Sequence, residues 1–235
     1  MNATVIAETV RRHLTSAGYI VFLLFIAMVA LFVSNFAIPG TLWPPLVSLL
    51  AIVTGSAIVG PEFSTGTLQL IVSKPIRRSV YLVSRVAGVF ACVALAAALA
   101  VTVECSARLL FGRVPVPWPR LGEVFAGELL VALLAIALLA FLGSLTRSYF
   151  NAAIYIGTQA ALGIGGALLG VARLAGNARV PQIQLALAKI DDVLFTSLPP
   201  VLNAAWIART LGVAAAAIVL GCLAFERREV PYSAD

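Results

Sequence analysis

The chain has few of the residues on which most enzyme chemistry depends. Among its 235 residues there is one histidine, His13, and there are three cysteines. A single histidine leaves too few imidazole ligands for most metal or haem centres, and no H-E-x-x-H zinc motif occurs. The cysteines, Cys92, Cys105 and Cys222, lie in or at the end of long apolar runs, where a thiol acts as a small apolar side chain. We therefore expect no metal site and no disulfide framework.

Nucleotide chemistry is also missing from the sequence. There is no G-x-x-x-x-G-K-[ST] phosphate-binding loop, so we expect no cofactor and no ATP hydrolysis in this chain. The nearest approach to a catalytic carboxylate pair is Asp191 beside Asp192. Adjacent residues of a helix point in different directions, which favours a solvated helix face over a catalytic pair. The sequence thus predicts a chain that is not an enzyme.

Charge is scarce and apolar residues dominate. Charged residues make up 11% of the sequence and hydrophobic residues 61%, with a mean hydropathy of +1.04. Soluble domains contain roughly 45–50% apolar residues. The net charge of +6 is scattered over several short loops, so no basic face for nucleic acid is expected. The composition predicts a polytopic membrane protein embedded in a lipid bilayer.

Hydropathy predicts one all-α transmembrane domain over residues 1–235, with six spans of about the twenty residues that a bilayer requires. The predicted spans cover residues 18–38, 42–59, 80–103, 124–145, 150–171 and 201–225, and the third helix is expected to continue to Phe111. Residues 1–17 have the pattern of an amphipathic interfacial helix. Residues 173–200 predict a second amphipathic helix, external to the bilayer, between the fifth and sixth spans.

The longest polar interruption in the N-terminal half runs from Gly60 to Arg85, GPEFSTGTLQLIVSKPIRRSVYLVSR. Gly60-Pro61 is predicted to end the preceding apolar helix, because proline lacks the N–H that the helix needs. Pro75 is predicted to end the short helix that follows. Apolar and small residues recur inside it at helical spacing: Phe63, Thr67, Leu70 and Ile71. The pattern predicts a short amphipathic helix at the membrane surface, within a loop over residues 61–79.

The string E-F-S-T-G-T-L-Q-L-I-V-S-K-P-I-x-R-S-x-Y, from Glu62 to Tyr81, resembles the loop between the second and third spans of type-2 ABC transporter permeases, the export-type membrane subunits. In that family the loop is a coupling helix that docks on a separate ATP-binding subunit. The C-terminal string F-E-R-R-E-V also resembles the end of that family's last span. The resemblance implies docking through Glu62, Phe63, Thr65, Gly66, Thr67, Leu68, Leu70 and Lys74.

The resemblance also implies partners and a location. Two ATP-binding subunits, which carry ATP and Mg, would work on this chain and on a second permease copy or a related permease. The complex would lie in a bacterial or archaeal cytoplasmic membrane with both termini cytoplasmic, as the basic residues flanking the first span also favour. An alternative is a mechanotransmission subunit that drives an extracytoplasmic accessory protein through residues 183–198 without moving a substrate itself.

Four polar residues inside the spans are candidates for a substrate path or for structural contacts. Glu104 and Arg108 lie four apart on one helix, in the favourable acid-before-base order. They could anchor the helix end or touch a substrate. Asn35 and Gln159 could line a pathway or could hydrogen-bond to a neighbouring helix.

Glycine is concentrated in the predicted fifth span. Gly166 and Gly170 have the G-x-x-x-G spacing that allows two membrane helices to approach closely. In the permeases that the chain resembles, the first and fifth spans line the central pathway of a pair of subunits. The glycines are therefore candidates for a dimer interface or pathway.

Overall fold

The computed structural model describes residues 1–35, 41–59, 77–111, 116–146, 150–174, 180–195, 199 and 202–227. Eight helices and no strand are found in these ranges, which confirms the all-α prediction for them. The helices are α1 (Ala3–Leu14), α2 (Ala17–Asn35), α3 (Pro44–Ser56), α4 (Arg78–Phe111), α5 (Trp118–Leu145), α6 (Phe150–Leu174), α7 (Val180–Leu194) and α8 (Ala204–Arg227).

Among the described helices, four are long and apolar enough to cross a membrane: α4, α5, α8 and the part of α6 from Phe150 to Leu169. The pair α1 and α2, bent by 69° at the break between them, provides a fifth candidate. Helix α3 is apolar but has only 13 residues. The structure is therefore that of a helical membrane protein with four or five candidate spans in its described part.

Helices α4 and α5 form the centre of the packing. Helix α4 contacts α1, α2, α3 and α8, while α5 contacts α3, α4, α6 and α8. Small residues make the close approaches possible, since membrane helices gain contact when side chains are short. A Cβ atom added at Gly221 of α8 would lie 3.3 Å from the Phe141 backbone of α5. Helix α4 likewise presents small residues to its neighbours, since Ala96, Ala97 and Ala100 are fully buried.

Contacts along α3 fix the directions of its neighbours. Trp43, at the start of α3, reaches Glu104 of α4, whereas Ile58, just beyond its end, reaches Arg85. Helices α3 and α4 are therefore antiparallel. Below, the "Trp43 end" is the end of the bundle that holds Trp43 and Glu104. The "Arg85 end" is the opposite one.

Two predicted helix boundaries were wrong. Helix α3 ends at Ser56 and not at Gly60-Pro61. The N–H groups of Ala57 and Ile58 donate to the carbonyls of Thr54 and Gly55, three residues back, which closes the helix in a tighter turn, and the carbonyls of Ala57 and Ile58 accept hydrogen bonds from Arg85. Helix α5 begins at Trp118 and not near Val124. Proline fits the first turn of a helix, where its missing N–H has no intrahelical partner.

Candidate functional site

A buried ion pair lies at the Trp43 end of the bundle. Arg108 donates from Nη2 to Oε1 of Glu104 over 2.6 Å and from Nε to the same oxygen over 3.0 Å. The indole Nε1–H of Trp43 donates to Oε2 of Glu104 over 2.8 Å. Glu104 and Trp43 are fully buried, and Arg108 is nearly so. Both carboxylate oxygens of Glu104 thus have donors, as a buried charge requires.

A second buried carboxylate lies between α3 and α5. Glu128 is only 3% exposed, and its Oε1 accepts a hydrogen bond of 2.5 Å from the hydroxyl of Ser48. Among the described residues, no arginine, lysine or histidine forms an ion pair with Glu128. The chemistry around Glu128 therefore differs from that around Glu104, where a guanidinium balances the charge.

Glu128 lines a cavity of about 280 Å³ between α3, α5, α6 and the end of α7. Its polar lining comes from Ser48, Glu128, Tyr155 and Gln159, and its aromatic lining from Tyr155 and Phe195. The two rings meet edge to face with their centroids 4.9 Å apart. Among the described residues, none that lines the cavity is basic. The site is apolar with a few polar groups, as small-molecule sites usually are.

A buried arginine joins three elements at the Arg85 end. Its guanidinium donates to the hydroxyl of Thr9 in α1 over 3.2 Å, and to the carbonyls of Ile58 and Ala57 over 3.3 and 3.4 Å. Helix α1 packs so closely on α4 here that a Cβ atom at Gly88 would lie 2.7 Å from Thr9. In the sequence, Arg85 is the last residue of the polar stretch that begins at Gly60, and it falls within the predicted third span over residues 80–103. The structure shows a buried connection between α1, α4 and the end of α3.

Asn151 makes a similar connection from α6. Its side-chain amide donates to the Ser56 carbonyl over 3.0 Å and to the Leu139 carbonyl over 3.3 Å, and the residue is fully buried. Gly55 lies against Leu139 at the same level. The C-terminal end of α3 and the N-terminal end of α6 are therefore fixed to α5. The end of α3 lies a few residues before the segment 60–76 in the sequence.

Helix α7, the predicted external helix, is fixed at two points. Arg209 of α8 forms an ion pair with Asp192, and Phe195 just beyond α7 packs on Tyr155 of α6. Leu187 lies 3.5 Å from the Cβ position of Gly165. Helix α7 is thus in contact with both α6 and α8, and Asp192 has a partner on a different helix.

The other predicted site residues are distributed as follows. Gln159 lines the cavity, although its own side chain is exposed. Gly166 lies in α6 with open space at its Cβ position, and Gly170 lies one turn further along the same helix. Asn35 is the last residue of α2. The predicted docking residues, Glu62, Phe63, Thr65, Gly66, Thr67, Leu68, Leu70 and Lys74, lie outside the described residues.

Glu128 was missed by sequence reasoning. It stands within the apolar run of the predicted fourth span, and an ionisable residue in such a run is by itself a reason to suspect a functional site. Its relation to Ser48, 80 residues earlier in the chain, has no signal in the sequence. The cavity likewise depends on the packing of four separate elements.

Comparison with known proteins identifies no family for the chain. No protein-family model matches it, and no curated protein matches it. The function is therefore inferred from its own residues and contacts.

Proposed function

We propose that the chain is a membrane subunit driven by a separate protein that docks on residues 60–76. The sequence contains no phosphate-binding loop, so ATP hydrolysis that drives this chain would take place on another chain. The observation that carries the proposal is the Arg85 connection. It joins Ile58, two residues before the 60–76 segment, to Arg85 of α4, nine residues after that segment. A force on the segment would therefore reach both α3 and α4.

The particular role that best fits is the permease subunit of an ATP-driven ABC exporter of type 2. The string from Glu62 to Tyr81 supports this assignment, as does the apolar helical bundle on either side of it. Two ATP-binding subunits would supply ATP and Mg, and a second permease copy would complete the pathway. ATP-driven closure of the two subunits would push the docked segments and tilt α3 and α4 together.

Six spans are part of this proposal: α2, α3, α4, α5, α6 and α8. The short α3 fits because its ends match levels on α4 that are far apart. Arg85 and Glu104 are separated by about 28 Å at 1.5 Å per residue, close to the thickness of a hydrocarbon core of about 30 Å. Trp43 meets the second of these levels and Ile58 the first. The 13 helical residues of α3 cover about 20 Å of this distance, and the long side chains of Trp43, Glu104 and Arg85 bridge the remainder.

The test is docking and coupling in a reconstituted complex with the candidate ATP-binding subunit. We expect Glu62→Lys to abolish co-purification, because it reverses charge at the predicted first turn of the docking helix. The matched control is Glu123→Lys, the same reversal near the start of α5 at the Trp43 end. Unchanged docking of Glu62→Lys would refute the proposal that residues 60–76 form the docking site.

A second experiment tests the contacts of Arg85 with the end of α3. Arg85→Gln removes the charge that fixes α3 to α4 and should leave docking intact while lowering transport per ATP hydrolysed. Arg120→Gln, an exposed residue of α5, is its control. Equal coupling in both variants would show that Arg85 transmits no force.

The alternative of a mechanotransmission subunit is favoured by the contacts of α7. The Arg209–Asp192 pair and the Tyr155–Phe195 contact connect this helix to α8 and α6, so movement of the bundle would reach it. An extracytoplasmic partner could be driven through α7 without any cargo crossing the membrane. Transport into sealed vesicles distinguishes the two functions, because only the exporter moves a solute.

A further inference from the structure

The cavity around Glu128 has a chemistry that the proposed function does not specify. It brings together an acidic group, two aromatic rings and an apolar wall, and its lining in the described part of the chain contains no basic residue. We propose that this cavity binds a small organic cation, an ammonium group carried on an apolar body, with Glu128 as the counter-charge. The inference rests on the proposed exporter function only for the identification of this ligand as cargo.

The charge of the ligand follows from Glu128. A buried carboxyl group stays neutral unless a cation or several donors stabilise its charged form. At Glu104 the protein itself provides Arg108 and Trp43. At Glu128 it provides the Ser48 hydroxyl, a neutral donor, and an adjoining cavity. A cationic ligand supplies the missing charge, whereas an anionic ligand would add repulsion.

The form of the charge follows from the aromatic residues. Tyr155 and Phe195 line the same cavity, and their edge-to-face arrangement leaves the two rings at a steep angle. Ring faces attract ammonium groups, and quaternary ammonium is the ligand that aromatic cages recognise best. A metal ion is a poorer fit, since hard cations require six or more oxygen ligands. The lining therefore favours a soft organic cation.

The size and the body of the ligand follow from the volume and the remaining wall. A cavity of about 280 Å³ is at the lower limit of drug-sized sites. Ile52 and Leu134 provide apolar contact beside the polar groups. Gln159, exposed at one side, can contact a ligand that projects from the cavity. The expected ligand has one ring or a short chain attached to the charged head.

The experiment measures saturable binding of benzyltrimethylammonium to the purified chain in lipid nanodiscs, with empty nanodiscs subtracted. Its neutral isostere, neopentylbenzene, has a carbon atom in place of the nitrogen and reports on shape alone. We expect the wild-type chain to prefer the cation. We expect Glu128→Gln to weaken cation binding by about tenfold or more while isostere binding is unchanged.

Matched variants separate charge from structure. Glu123→Gln removes a carboxylate from the same helix outside the cavity and should leave both affinities unchanged. Tyr155→Leu keeps an apolar side chain and should weaken cation binding by about threefold or more through loss of the ring. The losses expected for Glu128→Gln and Tyr155→Leu both depend on contact between the cation and these two side chains.

Three results would overturn the inference: no saturable binding of the cation, equal affinity for the cation and its isostere, or unchanged cation preference in Glu128→Gln. Loss of both probes in Glu128→Gln would also overturn it, because the amide keeps the shape of the cavity. The ATP-binding subunit is absent from this assay. Failure here thus leaves the docking proposal intact, and failed docking leaves this binding intact.

Discussion

Two buried carboxylates on the central helices have opposite surroundings. Glu104 of α4 is held by a guanidinium and an indole N–H, all inside the packed bundle. Glu128 of α5 is equally inaccessible but has a serine hydroxyl and a cavity beside it. A charge that the protein balances itself serves the structure. An acidic group such as Glu128, with a neutral donor and a cavity beside it, is available to a cationic ligand.

The largest loss of stability is expected when the cation beside Glu104 is removed. We expect Arg108→Met to lower the free energy of unfolding by about 3–5 kcal/mol, because it leaves a buried carboxylate without its counter-charge. Unfolding of the purified protein in mixed detergent micelles measures this loss. Arg120→Met, which removes an exposed arginine, is the control and should have a small effect.

A double variant identifies the cause of that loss. Glu104→Gln combined with Arg108→Met removes both charges and should recover much of the lost stability, since no unpaired charge remains buried. If the double variant is as unstable as Arg108→Met, the side-chain volume of Arg108 and not its charge stabilises the bundle.

The contact of Trp43 with the same carboxylate has a smaller expected effect. Trp43→Phe keeps an aromatic ring but removes the donor to Oε2 of Glu104, and should lower the free energy of unfolding by about 1.5–3 kcal/mol. Trp118→Phe is the matched control, because Trp118 is 60% exposed at the start of α5. Equal effects of the two substitutions would mean that the indole hydrogen bond contributes nothing specific.

The contrast between the two acids also shows what can be read from a sequence. Glu104 and Arg108 lie four residues apart, so a helix alone brings them together and the pair is visible in the string. Trp43 is 61 residues from Glu104, and only the packing of α3 on α4 adds it. Local spacing predicts helices and pairs within them, but not contacts between helices.

Arg85 is a second residue whose contacts with other helices could not be predicted from local spacing. In the sequence it closes a polar stretch that also holds Lys74, Arg77 and Arg78, and nothing in that pattern distinguishes it from its basic neighbours. In the structure it is buried, because the carbonyls of Ala57 and Ile58 come to it from the end of α3. The charge pattern of a segment does not reveal which of its members turns inward.

The smallest change in stability is expected at Glu128. Glu128→Gln should change the free energy of unfolding by no more than about 1 kcal/mol, and a slight gain is consistent with the removal of a buried charge. The amide oxygen can still accept the Ser48 hydrogen bond, and within the described ranges no basic side chain forms an ion pair with residue 128 that the substitution would leave unbalanced. The measurement is the same detergent unfolding assay, with Glu104→Gln as the paired substitution. Glu104→Gln leaves Arg108 without its counter-charge, so it should be clearly more destabilising. Equal and large losses in both variants would show that Glu128 is a structural charge like Glu104, and the cavity would then have no counter-charge to offer a ligand.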